Sequence, residues 1–160
     1  MGDSITRNIC FFTATTHCFP GATVQHVLDK LLGLLRSLPS FINRGVVHVG
    51  SNDTGCQHSE LTKKDFNDHF SLLKECEKSV FISGPLTTLS QGVGRFSRML
   101  GLNTWLQSAC RAHNVGFIDN FSPFWNRSKL YWCDGLYPSR QGSHMLAANV
   151  QHMVQCSPCD

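Results

Sequence analysis

Short apolar runs alternate with amphipathic helical patterns along the whole of this 160-residue chain. The apolar runs that predict strands are 45–49, 79–83 and 115–118. The stretches whose apolar residues recur at helical spacing are 22–38, 61–76, 96–113 and 141–154. Such alternation is typical of βαβ units with right-handed crossovers. The sequence therefore predicts an α/β fold, a three-layer α/β/α sandwich with a mainly parallel sheet.

Composition and charge are consistent with one globular domain. Hydrophobic residues make up 41% of the chain and charged residues 16%, which excludes a disordered protein. Lysine and arginine are scattered and the net charge is only +3, so no nucleic-acid patch is predicted. No run approaches the ~18 apolar residues of a membrane span, and no secretory signal is recognisable. We expect a cytoplasmic protein without membrane contact, with one domain over residues 1–155 and a tail at 156–160.

The eight cysteines are spread through the chain without a pattern. In a protein without a secretory signal, such usage favours reduced thiols over a disulfide framework. Cys156 and Cys159 form a lone Cys-x-x-Cys, and two further zinc ligands at suitable spacing are not apparent. No metal site is predicted.

Polar clusters follow the predicted strands or lie in loops near them. They are Gly-Asp-Ser at 2–4, Pro-Gly-Ala at 20–22, Gly-Ser-Asn-Asp at 50–53 and Asp-Gly-Leu at 134–136. In open α/β sheets ligands bind beyond the carboxyl ends of the strands. Any one cluster taken alone is better explained as a polar loop after a strand, but together they supply the parts of an acyl-transfer site.

Cleavage of an ester needs a nucleophile, donors for the oxyanion, a base and a group that orients the base. Ser4 is the candidate nucleophile. The backbone N–H groups of Ser4 and Gly21 and the side-chain amide of Asn52 are candidate oxyanion donors. Asp134 is placed to orient an imidazole three residues later in the same loop.

The order of these motifs resembles that of the SGNH (GDSL) hydrolase superfamily: Gly-Asp-Ser near the start, a glycine block, Gly-x-Asn-Asp, and Asp-x-x-His near the end. Five segments are similar to the esterase domain in the first open reading frame of LINE-type retrotransposons of fish genomes. They are 14–24, 47–54, 81–88, 94–106 and 134–150. The resemblance implies a flavodoxin-like sheet, hydrolysis of small acyl esters such as acetyl esters, and no cofactor. It also implies that Ser4 is the nucleophile, Gly21 and Asn52 the oxyanion partners, and Asp134 the triad acid.

The family's catalytic histidine falls on residue 137, where this chain has Tyr137. Phenols ordinarily have a pKa near 10 and accept a serine proton poorly at neutral pH. Loss of a triad member costs serine hydrolases about 10⁴- to 10⁶-fold in turnover. We do not expect a substitute base, because His144 falls on the polar side of its helix, His48 lies inside a strand and His17 lies in a loop. The sequence therefore predicts an esterase domain by descent that is impaired or inactive.

Two further expectations follow from the resemblance. In this fold a central strand precedes the Gly-Asp-Ser motif, and the sequence has only Met1 ahead of Gly2, so we expect the first strand to be missing from a fragment or a degenerate copy. The alternative to an esterase is a non-enzymatic, retroelement-derived binding module or relic. Because the chain has no coiled-coil heptads, zinc knuckle or basic tail, we expect nucleic acid to bind only through regions of a longer protein.

Overall fold

A parallel sheet forms the centre of the molecule. The computed structural model describes residues 1–11, 14–55, 59–74, 78–89 and 92–157. The sheet contains, in spatial order, β1 (Arg44–His48), β2 (Ser79–Ser83) and β3 (Gly116–Ile118). Both neighbouring pairs run parallel. The three predicted strands are confirmed to within one residue at each end.

The helices follow the strands in the predicted alternation. They are α1 (Val24–Ser37), α2 (Ser51–Gly55), α3 (Ser59–Lys74), α4 (Gly92–Ala112), α5 (Phe121–Phe124) and α6 (Arg140–Cys156), with 3₁₀ helices at Ser4–Asn8 and Ser128–Leu130. α3 begins two residues before its predicted start, and its predicted end at Cys76 lies outside the described residues. α6 extends one residue into the predicted tail, of which residues 158–160 lie outside the described part. None of the helices in the described ranges combines the length and the apolar character needed to cross a bilayer.

The strand-end turn predicted at 50–55 is instead the short helix α2. Gly50 has a φ of +114°, a conformation that favours glycine, and the chain turns there from β1 into the helix. Asp53 lies in the first turn of α2. Its buried carboxylate accepts the backbone N–H of Val24 at 3.2 Å and so ties α2 to the first turn of α1.

Met1 and Gly2 occupy the position of the strand that the sequence predicts to be missing. Gly2 forms parallel bridges to Cys18 on one side and to His48 of β1 on the other. The backbone N–H of His48 donates to the carbonyl of Met1 at 2.9 Å, and that of Asp3 donates to the carbonyl of His48 at 3.2 Å. The order across the sheet is therefore Cys18, Gly2, β1, β2, β3. Gly2 thus pairs on both sides, with Cys18 and with His48.

The space around position 2 does not accommodate a Cβ atom, so the residue there has to be glycine. A Cβ at position 2 would lie 2.5 Å from the carbonyl oxygen of His48 and 2.5 Å from Cγ2 of Thr6. Both atoms belong to buried, hydrogen-bonded residues. The close approach of the three backbones therefore explains the glycine before Asp3 and Ser4.

Apolar side chains fill both faces of the sheet. One cluster joins α1, α3 and α4 to the sheet, and among its buried members are Val27, Leu31, Phe66, Phe70 and Leu106. The other lies toward α6 and includes Ile5, Phe81, Ile118, Phe124 and Leu146. Helices thus cover the sheet on two sides, and the predicted three-layer α/β/α sandwich is confirmed.

Candidate active site

Ser4 begins a 3₁₀ helix just beyond the bridge formed by Gly2. Asp3 caps this helix, because its carboxylate accepts the backbone N–H of Ile5 at 3.0 Å. Ser4 is half-buried and lines two adjoining clefts. The bridge and the cap together fix Ser4 at the carboxyl end of the sheet, where an α/β fold binds its ligand.

The first cleft has a volume of about 220 Å³ and extends from Ser4 toward α2 and α4. Asn52 of α2 and Arg95 of α4 supply polar groups. The remaining lining is mixed, with an aliphatic part contributed by Ile5, Leu86, Met99 and Leu136 and a polar part contributed by Asp3, Ser51, Thr87, Thr88 and Tyr137.

The second cleft has a volume of about 260 Å³ and lies between the Ser4 helix and the loop before α6. Its lining is Ser4, Ile5, Arg7, Asn8, Trp132, Asp134, Tyr137, Pro138 and Ser143. Ser4, Ile5 and Tyr137 line both clefts. The candidate nucleophile and residue 137 therefore lie at the junction of the two.

Asn52 lies in the first cleft, as an oxyanion donor should. Its amide Nδ2 donates to the carbonyl of Ala22 at 3.0 Å, which links the Gly-Ser-Asn-Asp motif to the glycine block. An amide carries two N–H donors, so one further N–H belongs to this group. Gly21 has a φ of +73° and is exposed, and it is not among the described residues that line the two clefts. Its part in an oxyanion hole stays a prediction.

Asp134, the first residue of the loop 134–137, holds this loop in its conformation through hydrogen bonds to the loop backbone. Oδ1 of Asp134 accepts the backbone N–H groups of Leu136 at 2.9 Å and of Tyr137 at 3.2 Å. Gly135, with a φ of +65°, allows the turn. The carboxylate of Asp134 therefore contacts the backbone of residue 137, and Tyr137 is 45% exposed at the junction of the clefts.

The histidines considered as substitute bases lie elsewhere. His144 is exposed on α6. His48 is buried, with Nδ1 3.0 Å from Oγ of Ser83, and burial together with the nearby N-terminal amine lowers its pKa to about 4. The carbonyl of His17 accepts the backbone N–H of Gly2. No histidine in the described part of the chain lines either cleft, and His58 lies outside that part.

Asp3, the middle residue of the Gly-Asp-Ser motif, is a buried acid beside the candidate nucleophile, and the motif itself predicted no separate role for it. It is 1% exposed, and its Oδ2 has no hydrogen-bond partner among the residues that the structure describes. Burial raises the pKa of Asp3 to about 6, the hydrogen bond from Ile5 opposes this rise, and the neighbouring carboxylate of Asp53 adds to it. An aspartate directly before a helical turn is a common N-cap, and that signal was present in the sequence.

A buried polar network, which the sequence motifs did not predict, lies behind the site. The amide Nδ2 of Asn120 donates to Oγ of Ser83 at 2.7 Å and to the carbonyl of Gly84 at 2.9 Å. Nδ2 of Asn149 on α6 donates in turn to Oδ1 of Asn120 at 2.9 Å. Through Ser83 the network reaches His48, whose carbonyl holds Asp3. The network is therefore connected through His48 to the backbone of Asp3, the residue next to Ser4.

No group of three or more His, Cys, Asp or Glu side chains within the described ranges is arranged to hold a metal ion. The five cysteines of these ranges, at 10, 18, 110, 133 and 156, are free thiols.

Comparison with solved structures identifies several relatives of this fold. The esterase domain of the ORF1 protein from the zebrafish ZfL2-1 retrotransposon is 38% identical, with 96% of both chains covered and a TM-score of 0.57. A lipolytic protein of the G-D-S-L family from Veillonella parvula is 17% identical, with 98% of this chain and 96% of that chain covered and a TM-score of 0.80. The lipase/acylhydrolase from Enterococcus faecalis is 19% identical, with 99% and 96% covered and a TM-score of 0.71.

No family model matches the sequence, and comparison with curated proteins finds no match. The two bacterial structures are evidence of the fold alone, whereas the zebrafish domain is similar in sequence over nearly its full length. The similarity to the zebrafish domain establishes that the chain belongs to the same family of retrotransposon ORF1 esterase domains, with the fold of the G-D-S-L (SGNH) hydrolases.

Proposed function

We propose that this chain is a serine esterase domain for small acyl esters such as acetyl esters, and that Tyr137 strongly reduces its turnover. The observation that carries the proposal is the shared position of Ser4 and Tyr137 at the junction of two clefts. The esterase name of the zebrafish relative and the membership of the SGNH superfamily support the reaction class.

In the proposed reaction, Oγ of Ser4 bonds to the ester carbonyl carbon and the bond to the leaving alkoxide breaks. The Oγ proton passes to a base and from the base to the alkoxide, and water then releases the acyl group by the reverse sequence. The N–H of Ser4 and the Nδ2 group of Asn52 stabilise the oxyanion. The base is the missing part, because a phenol at residue 137 does not accept the proton efficiently at neutral pH.

The proposal is tested by restoring the base. Hydrolysis of p-nitrophenyl acetate and labelling of Ser4 by a fluorophosphonate are measured for the wild type and for Tyr137→His, Tyr137→Phe and Ser4→Ala. We expect Tyr137→His to raise turnover at least about a hundredfold, in line with general-base catalysis. Tyr137→Phe, the matched control without an imidazole, should stay at the wild-type level. Adding Ser4→Ala to Tyr137→His should remove the gain.

Two outcomes would contradict the proposal in different ways. Strong wild-type hydrolysis that Ser4→Ala abolishes would show that Tyr137 does not impair the enzyme. No gain in Tyr137→His, with an unchanged fold, would show that the remainder of the site does not support esterase chemistry.

The second candidate is a non-enzymatic binding module that keeps the pocket. It is favoured by one observation, namely that both clefts persist although no histidine of the described residues lines them. Salt-dependent binding of RNA by the isolated chain, without hydrolysis in any variant, would favour this candidate over the esterase.

A further inference from the structure

Arg95 is the only residue with a cationic side chain among the described residues that line the first cleft. It lies near the start of α4 and is half-buried. Apart from Tyr137, the other ionisable side chain of this lining is Asp3, which is 1% exposed and caps the Ser4 helix. The charge that the first cleft exposes is therefore positive.

Hydrogen bonds hold the guanidinium of Arg95 close to Asn52. One of its N–H groups donates to the carbonyl of Ser51 at 3.2 Å, and Ser51 directly precedes Asn52 in α2. The amide of Asn52 is itself fixed by its bond to the carbonyl of Ala22. A guanidinium carries five N–H donors, and the bond to Ser51 engages one of them. Arg95 and Asn52 are therefore held at neighbouring positions in the wall of the cleft.

The proposed reaction creates negative charge beside this wall. The carbonyl oxygen of the ester is neutral in the substrate and becomes an oxyanion in the tetrahedral intermediate. A fixed cation therefore stabilises the intermediate more than the substrate, which lowers the barrier. The aliphatic side chains of Leu86 and Met99 line the same cleft, and their low polarity strengthens such an attraction.

Arg95 also lies where a third oxyanion donor is needed. The motif order predicts Gly21 as that donor, but Gly21 is not among the described residues that line either cleft. Arg95, in contrast, shares the lining of the first cleft with Ser4 and Asn52. Because α4 supplies it, this donor is independent of the path of the loop that contains Gly21.

We infer that Arg95 and Asn52 form an anion site in the first cleft, and that this site holds the oxyanion of the proposed reaction. The inference rests on the proposed function, because the oxyanion arises only in acyl transfer. It makes Arg95 a further catalytic residue, and it gives the first cleft an affinity for small tetrahedral monoanions.

Binding of a stable tetrahedral anion tests the site without any need for hydrolysis. The monoanion of methyl methylphosphonate is titrated into the full chain at pH 7 while backbone amide shifts are recorded by NMR. Dimethyl sulfone, which is tetrahedral but uncharged, is the comparison ligand. The variants are Arg95→Ala, Arg95→Lys and the matched control Arg111→Ala, which removes an exposed arginine from the last turn of the same helix. Thermal unfolding verifies that each variant is folded.

We expect saturable shifts in residues 4–5 and 51–53 with the phosphonate, and weaker binding of the sulfone. Arg95→Ala should lower the affinity for the phosphonate at least about tenfold, because it removes charge-assisted hydrogen bonds. Arg95→Lys should lose less, since it keeps the charge but not the planar fork of donors. Arg111→Ala should bind like the wild type.

Kinetics in the Tyr137→His background test the catalytic part. We expect Arg95→Ala to lower kcat for p-nitrophenyl acetate by about 10²- to 10³-fold while KM changes little. Guanidinium chloride, at concentrations far below those that unfold proteins, should restore part of this turnover. A purely structural role of Arg95 would not give such a rescue.

Three results would overturn the inference: no saturable shift with the phosphonate, equal affinities in Arg95→Ala and Arg111→Ala, or a kcat in active Tyr137→His that Arg95→Ala leaves unchanged. Failure of the proposed function remains distinguishable. If the phosphonate binds through Arg95 while Tyr137→His hydrolyses no ester, the anion site stands and the esterase proposal fails. If Tyr137→His hydrolyses p-nitrophenyl acetate but neither binding nor kcat depends on Arg95, the esterase stands and the anion site fails.

Discussion

The carboxylate of Asp134 accepts the backbone N–H of Tyr137 at 3.2 Å. The residue proposed to orient an imidazole therefore also holds the turn that carries residue 137. Asp134 therefore has two roles, a structural one in the loop and the one proposed for the reaction in the cleft.

The double role of Asp134 leads to a first prediction. In the Tyr137→His background, Asp134→Asn keeps a side-chain oxygen for the turn but loses the charge that stabilises an imidazolium. We expect Asp134→Asn to lower the turnover of p-nitrophenyl acetate by about 10³- to 10⁴-fold with little change in stability. Asp134→Ala should cause the same loss of turnover and also lower the free energy of unfolding by about 1 kcal/mol. Equal turnover in Asp134→Asn and its parent would show that Asp134 serves the turn alone.

The packing around Gly2 gives a second prediction. Gly2→Ala places a Cβ against the carbonyl of His48, and we expect urea denaturation to report a loss of about 1–3 kcal/mol. Gly33→Ala in α1 is the matched control, because no atom lies within 4 Å of its added Cβ. That substitution should be neutral or stabilise by up to about 1 kcal/mol. Similar effects at the two positions would refute the close approach described for Gly2.

The buried acid Asp3 gives a pH-dependent prediction. Because the folded protein raises the pKa of Asp3 to about 6, its contribution to stability is full below the unfolded pKa near 4 and is lost as the pH rises through 6. Asp3→Asn keeps an oxygen for the cap and removes this ionisation. We expect the free energy of unfolding of Asp3→Asn, relative to wild type, to increase by at most about 3 kcal/mol between pH 4 and pH 7. Groups common to both proteins, such as His48, cancel in the difference, and a pH-independent difference would contradict the prediction.

The amide of Asn120 is 0% exposed and supports the network behind the site. Asn120→Ala leaves Oγ of Ser83 and the carbonyl of Gly84 without this donor. We expect a loss of about 1–3 kcal/mol in the free energy of unfolding, measured by urea denaturation. Asn67→Ala on the exposed side of α3 is the control and should change stability by less than about 0.5 kcal/mol. An effect at Asn120 no larger than at Asn67 would show that the network adds nothing to stability.

The sequence predicted helices and strands correctly where a local pattern of apolar residues determines the structure. The apolar stripe of α1 follows helical spacing, and the run 79–83 coincides with β2. The pairing of Gly2 with both Cys18 and His48 could not be foreseen, because it joins segments far apart in the chain through backbone atoms alone. The same applies to Asn120, whose partners become neighbours only when β2 and β3 align.

For the candidate site, motif order identified Ser4, Asn52, Asp134 and residue 137, all of which line one or both clefts. Gly21 lies in the expected loop but does not line the described clefts. The sequence could not predict this, because it does not determine the path of the loop. Arg95 and Trp132 carried no signal, because a single arginine or tryptophan becomes a cleft residue only through the packing of separate elements.

Both backbone groups of Tyr137 have fixed partners: its N–H donates to Asp134 and its carbonyl accepts the N–H of Trp132 at 2.9 Å. Neither bond involves the side chain, and Tyr137 is 45% exposed. The loop therefore specifies where residue 137 lies without specifying which amino acid it is. An exchange between histidine and tyrosine at position 137 would therefore leave both of these backbone hydrogen bonds in place.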